Sequence, residues 1–305
     1  MNDRTKGGIY GLLVGNAVGV PYKLSDNIYM QSLPYIDILP PSNHKKAFQQ
    51  IRVGTYSDEG ALSLCSLYSL IQNNGLNTEH LMQQFHRWKT NGVFAVGGEV
   101  FDIPHQLALA IMNYEQEGNI LECGKVNPEG KGDGTLMRML PLAIFYRNIE
   151  AGEFIRKAHL QANITHSHPI NGMCCAIYGL WARNILNKET NPFENAIQTM
   201  KENYNSKGQD LLQEILDFKD IKGTDYVIDS LMSAYKIVSN YDSFHDIIVE
   251  AVRLGNDTDT TSALAGGIAG LKYGYTGIPK VWLDLLRGKN IADKLYDKLV
   301  LLDIE

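Results

Sequence analysis

The sequence predicts a nearly all-α protein, and three observations carry that expectation. Apolar residues recur at three- and four-residue spacing in one segment after another. Alternating runs of the β type are scarce. No fixed-period repeat is present, which argues against a solenoid. The chain has 305 residues, 44 % of them apolar and 20 % charged, so it can bury a sizeable core and is not of a disordered class. No linker separates its segments, and one domain spanning residues 1–305 is expected. The net charge of −6 is scattered along the chain, with no basic stripe that would mark a DNA-binding surface. No apolar run approaches the ~18 residues needed to span a bilayer, and no secretory signal is evident at the N-terminus. Cys65, Cys123, Cys174 and Cys175 lack C-x-x-C spacing, so neither a zinc site nor a disulfide framework follows. A soluble, reduced, cytoplasmic monomer is the expectation.

The elements follow in order. "GLLVGNAVGVP" carries Gly11, Gly15 and Gly19 at four-residue spacing in an apolar helix. Their missing Cβ atoms let a neighbouring helix backbone approach closely. Residues 25–56 hold three prolines and no sustained period. So long a connection inside a compact domain is uncommon and often forms a functional flap. "DEGALSLCSLYSLIQNNG" spaces Ala61, Leu64, Leu67 and Ile71 along one helix face and stops at Asn-Asn-Gly. "TEHLMQQFHRWKTNG" has Thr78 as an N-cap and Gly92 just past its end. "GKGDGTLMRMLPLAIF" places Gly130, Gly132 and Gly134 ahead of a helix start near Thr135. In "NITHSHPINGMCCAIYG", Pro169 opens a helix. "DYVIDSLMSAYKIVSN", "SFHDIIVEAVRLGN", "GNDTDTTSALAGGIAG" and "NIADKLYDKLVLLD" repeat the helical pattern.

Two helix starts carry a hydroxyl with two carboxylates. Ser57, Asp58 and Glu59 precede one amphipathic helix, and Asp257, Asp259 and Thr260 open another about two hundred residues later. Taken alone, the set at Asp257 reads more readily as a helix cap with a spare acid, and the matching set at Asp58 shifts that balance. Facing each other, they make a set of hard oxygen ligands for Mg²⁺ or Mn²⁺. Paired acids are costly if buried without a cation. Neither set is an EF-hand loop, because the third acid and the central glycine are missing. The loop of Gly132, Asp133, Gly134 and Thr135 suits a phosphate or diphosphate through free backbone N–H groups, or is a plain surface turn. It is not a Walker A loop. His166 reads as a substrate contact and His168 as a cap, and zinc lacks a third nitrogen or sulfur ligand.

In this order the segments resemble the ADP-ribosylglycohydrolase family. The matching stretches are "GLLVGNAVGVPYK", "YSDEG", "GDGTLMRMLPLA", "THSHP" and "GNDTDTTSALAGGIAG", spanning residues 11–270. The resemblance implies an all-α ADP-ribosylglycohydrolase-like fold with a dinuclear Mg²⁺ or Mn²⁺ centre. It implies hydrolysis of the bond at C1″ that joins ADP-ribose to a modified protein or nucleotide. Ser57, Asp58, Glu59, Asp257, Asp259 and Thr260 match metal-ligand positions, with Asp58, Glu59, Asp257 and Asp259 carrying the catalysis. Gly132, Asp133, Gly134, Thr135 and His166 match substrate-binding positions. Four positions depart from the pattern: Asn16 stands for Asp, Glu59 for Asp, Gly60 for Thr, and Lys23 for a Glu near the metal-bound water. Lys23 is expected to touch substrate and, if it points into the site, to leave fewer than two metals bound. Asp26 is the nearest acid able to replace that Glu. A second reading is a non-catalytic or weakly catalytic ADP-ribose binder, or an inhibitor of an ADP-ribosyltransferase partner.

Overall fold

The computed structural model describes residues 3–302. Among them are sixteen α-helices and four short 3-10 turns. The one β-type pairing is an isolated bridge between Gly132 and Tyr226. Three helices, Asp3–Gly19, Pro169–Leu186 and Thr258–Tyr273, are buried on nearly every side. A helix that is apolar or small all round belongs in the interior. Amphipathic helices, among them Asp58–Asn73, Val227–Asn240 and Phe244–Arg253, cover this centre with one face each. No helix among the described residues is long and apolar enough to cross a membrane.

The glycine spacing does what it predicts. Asp3–Gly19 and Thr258–Tyr273 run antiparallel in backbone contact. A Cβ on Gly7 would lie 2.2 Å from the Gly270 oxygen, one on Gly11 2.3 Å from that of Gly266, and one on Gly15 2.0 Å from that of Ser262. Ser262 Oγ adds a hydrogen bond to the Gly15 oxygen at 2.7 Å. This packing sets the end of the first helix, with Asn16, against the start of the other, with Asp257 and Asp259.

Several local expectations change. The cap of Thr78–Asn91 is Asn77, whose side chain accepts from the His80 N–H, and Thr78 is already helical. The helix after the glycine loop begins at Met139 rather than near Thr135. Residues 133–138 are turns and bends, so Thr135 holds no helix N-terminus. The segment 25–56 is not a free flap. Met30, Leu33, Ile36, Ile38 and Ile51 bury themselves in the core. Trp282 Nε1 donates to Asp37 at 2.9 Å, and the Tyr22 hydroxyl to the Asp37 carbonyl at 2.9 Å. No residue of 25–56 lines the main cavity.

Candidate active site

The two acidic helix starts meet. Ser57 Oγ lies 2.9 Å from Asp259 Oδ2, and Thr260 Oγ1 donates to Glu59 Oε1 at 2.8 Å. Neither Ser57 nor Asp257 spends its side chain on a helix cap, so both face the cluster. Asn16 binds Ser57 twice, accepting its N–H at 2.7 Å and donating to its Oγ at 2.9 Å. The same amide donates to Glu59 Oε2 at 3.0 Å. An aspartate at position 16, with no N–H in its side chain, could not make these two donations to Ser57 and Glu59. Gly60 has its own cause, since a Cβ there would come within 2.6 Å of the Tyr56 ring.

Lys23 points into the cluster. Its Nζ lies 2.6 Å from Asp102 Oδ2, 2.8 Å from Asp257 Oδ1 and 2.9 Å from Asp259 Oδ1. An ammonium has three N–H donors, and here three carboxylates meet it. Burial by itself would lower the Lys23 pKa, but Asp259, Glu59, Asp257 and Asp102 hold it far above the usual value. The chain after it is locked in place: Leu24 N–H donates to the Asn256 oxygen at 2.8 Å, and Asn256 N–H to the Ser25 oxygen at 2.7 Å. Leu24, Asp102 and Asn256 all have positive φ, at 63°, 56° and 58°. Such backbone strain, on the order of 1–3 kcal/mol per residue, collects at functional sites.

The acids are unequal. Asp58 is 1 % exposed, and neither of its carboxylate oxygens has a hydrogen-bond partner. Burial first, and then Glu59, push its pKa well above the usual range. Burial and the charge of Asp259 lift Glu59 to about 7 and Asp102 to about 6. Burial lifts Asp257 to about 7 against the pull of Lys23. For Asp259, burial is outweighed by Lys23, and its pKa falls. One oxygen from each of Asp58, Asp102 and Asp259 lies within 4.8 Å of the others, an arrangement that can hold a cation.

Lys23, Asp58, Glu59, Asp102 and Asp257 line a cavity of about 700 Å³. Gly132, Asp133, Gly134, His166, Thr224 and Asp225 line the same cavity. Asp133 accepts from Ser230 Oγ at 2.6 Å, and burial, then Asp257, raises its pKa. A Cβ on Gly132 or Gly134 would lie 3.6 Å from the His166 ring, so a larger residue at either position would narrow the cavity. Thr135 is fully buried and lies off the cavity wall. His166 is 1 % exposed. Burial, then the Arg138 charge, lowers its pKa to about 3, so its ring is neutral. Arg138 Nη2 donates to Thr165 Oγ1, and the same hydroxyl lies 2.8 Å from His166 Nδ1. Nε2 lies on the side of Gly132. His168 caps Pro169–Leu186, accepting from the Ile170 N–H.

Asp26 does not replace the missing Glu; it is exposed and accepts from the Tyr29 N–H at 2.8 Å as a helix cap. Asp102 is the site residue that sequence reasoning missed. It stands alone in "EVFDIPHQ", and only the Pro-led helix start two residues later hints at a turn there.

An all-helical frame that gathers carboxylates, hydroxyls and a neutral histidine around a nucleotide-sized cavity defines a hydrolase of the ADP-ribosyl type. The chain belongs to the ADP-ribosylglycohydrolase family, whose model matches residues 1–304. It is 28 % identical over 309 residues to ADP-ribosylarginine hydrolase Tri1 of Serratia proteamaculans (strain 568), covering 96 % of this chain and 79 % of that protein. It is 25 % identical over 296 residues to ADP-ribosyl-[dinitrogen reductase] glycohydrolase of Rhodospirillum rubrum, covering 94 % and 91 %. A solved ADP-ribosylglycohydrolase-related protein complex shares the fold, with a TM-score of 0.76 and 23 % identity over 97 % of this chain and 98 % of that one.

Proposed function

We propose that the protein hydrolyses the C1″ bond of ADP-ribose attached to an arginine side chain of another protein. The supporting observation is a single cavity lined both by acids of the cluster and by the Gly132–Gly134 loop with His166. Its volume of about 700 Å³ is in the range that holds a ligand of this size. Arginine is favoured as the attachment because a guanidinium leaving group is cationic and the lining is acidic, with Asp58, Glu59, Asp102, Asp133, Asp225 and Asp257 against Lys23 and Lys131. The Serratia relative is named for the same linkage.

The residues divide the work. His166, held by Thr165 and Arg138, presents its neutral Nε2 edge to a phosphate or ribose hydroxyl or oxygen. Asp133, fixed by Ser230, accepts from a ribose hydroxyl. Asp257 sits at the cavity wall, where it can hold the attacking water. The oxygen donors suit a hard divalent cation, and the unpartnered buried oxygens of Asp58 are the observation that fits one. Asp58, Asp102 and Asp259 would hold it, and when bound it supplies charge stabilisation as the C–N bond loosens.

The test is release of free ADP-ribose from arginine-, serine- and nucleotide-linked substrates, with Mg²⁺ and with chelator. Release from the arginine-linked substrate is expected; failure with all three would overturn the reading. ADP-ribose should also raise the melting midpoint. At ~100 times its Kd it adds roughly 2.7 kcal/mol to stability, or about 5 °C for a chain of this size. Thr165→Val should weaken ADP-ribose binding about two- to tenfold, the value of one oriented hydrogen bond. It should also lower the midpoint, because the Arg138 guanidinium loses its one hydrogen-bond partner among the described residues. Calorimetry and melting curves read the two effects separately.

The pH dependence of His166 has a definite sign. Its folded pKa of about 3 lies below the ordinary 6.5, so binding through the neutral ring should be flat above pH ~5. The unfolded chain takes the proton first. The contribution of His166 to stability is therefore complete above pH ~6.5 and is lost as pH falls toward ~3. His166→Asn should flatten that part of the acid limb in melting curves taken from pH 4 to 7.

A further inference from the structure

We propose that the Lys23 ammonium occupies the place of one divalent cation, so that the centre takes a single Mg²⁺ or Mn²⁺ ion rather than two. The inference rests on the reading above for the role of the site. Its test counts bound metal rather than ADP-ribose release, so either can fail without the other.

Three observations lead to it. First, Lys23 Nζ lies 2.6–2.9 Å from one oxygen each of Asp102, Asp257 and Asp259. Three carboxylates surround the ammonium at ion-pair distance. A divalent ion cannot share that position, since it would need the same oxygens at ~2.1 Å. Second, the ammonium is not a stray surface charge. Its side chain is 13 % exposed, and the Leu24–Asn256 and Asn256–Ser25 hydrogen bonds hold the backbone beside it. The left-handed conformations of Leu24 and Asp102 flank the contact, so the chain is bent on both sides to bring lysine and acid together.

Third, one cation does not finish the cluster. Asp58, Glu59, Asp102, Asp257 and Asp259 offer five carboxylates to one ammonium. Glu59 is satisfied by Asn16, Ser57 and Thr260. Asp58 is satisfied by nothing: it is 1 % exposed and both oxygens lack a partner. A buried carboxylate left in that state is costly. An oxygen of Asp58 lies within 4.8 Å of one from Asp102 and one from Asp259. On an octahedral Mg²⁺ ion adjacent ligand oxygens are ~3 Å apart and opposite ones ~4.2 Å, so the three oxygens would draw together around it. Asp58, Asp102 and Asp259 would hold that ion, with Asp102 and Asp259 also paired with the ammonium.

The experiment is Mn²⁺ loading of the full chain, dialysis, metal analysis and electron paramagnetic resonance. Wild type is expected to hold one equivalent with the hyperfine spectrum of an isolated ion. Lys23→Glu should take up a second equivalent and give an exchange-coupled spectrum. Lys23→Met, which adds no ligand, should still bind the first ion. Asp58→Asn should weaken that first ion at least about tenfold, since even residues one step removed from a metal are worth 10–100-fold. Two coupled ions in wild type, or none, would overturn the proposal. So would a Lys23→Glu protein that folds and still binds only one. The wild-type measurement decides even if a variant fails to fold.

Discussion

Asp58→Asn is expected to cut ADP-ribose release by ~10²–10⁴-fold while leaving the metal-free protein as stable as wild type or more so. The two effects separate because of what Asp58 touches. It is buried at the start of the Asp58–Asn73 helix, yet no donor within the protein reaches either of its oxygens. Without a cation it stands among Glu59, Asp102 and Asp259, whose charges raise its pKa further after burial has done so. Asparagine has the same shape and no charge, and its amide can donate to one of those neighbours. The folded state therefore loses a repulsion, while the site loses an oxygen that can take a cation. Melting in chelator and single-turnover release check the two halves. A variant that melts well below wild type in chelator and keeps its activity would make Asp58 a structural acid and nothing more.

Gly15→Leu and Gly266→Leu are expected to leave little folded protein, and the alanine variants to lose about 1–3 kcal/mol or more. The added Cβ would meet backbone at 2.0 Å from Gly15 and 2.3 Å from Gly266, and backbone cannot rotate aside as a side chain can. The alanine variants carry the more telling result. Asn16 lies one residue from Gly15, and Asp257 and Asp259 open the helix that contains Gly266. Forcing the helices apart by about 1 Å shifts one half of the cluster against the other, and a displacement of that size can cost ~10²-fold in rate. Release should thus fall further than the lost stability explains, measured at a temperature where both proteins are fully folded by circular dichroism. An alanine variant with wild-type release and wild-type midpoint would show that the interface yields without moving the site.

The helices were legible because a helix that packs must repeat its apolar side every three to four residues. The close pair was legible because glycine at every fourth position has few other uses in an apolar helix. The two acidic helix starts were legible as a matched design, and their order along the chain pointed to the family. Three features were not. Thr135 reads as the end of a phosphate loop, but the turn runs on to Met139 and buries it. Residues 25–56 read as a flap because nothing periodic marks them, while their scattered apolar side chains pack into the core. Asp102 belongs to no pattern and reaches the cluster only because its stretch of chain lines the cavity.

The sequence by itself determined the all-helical class, the glycine-spaced helix pair and the residue types available for chemistry. These depend on local spacing and on the absence or presence of a side chain, which neighbours in the chain already define. Only the tertiary structure decided which charges share a site. It placed Lys23 among Asp102, Asp257 and Asp259, paired Asn16 with Glu59, and left Asp58 without a partner. The physical reason is that the electrostatic role of a charged group depends on distance and burial. Both are set by segments as far apart as residues 23, 102 and 259, and no local pattern records them.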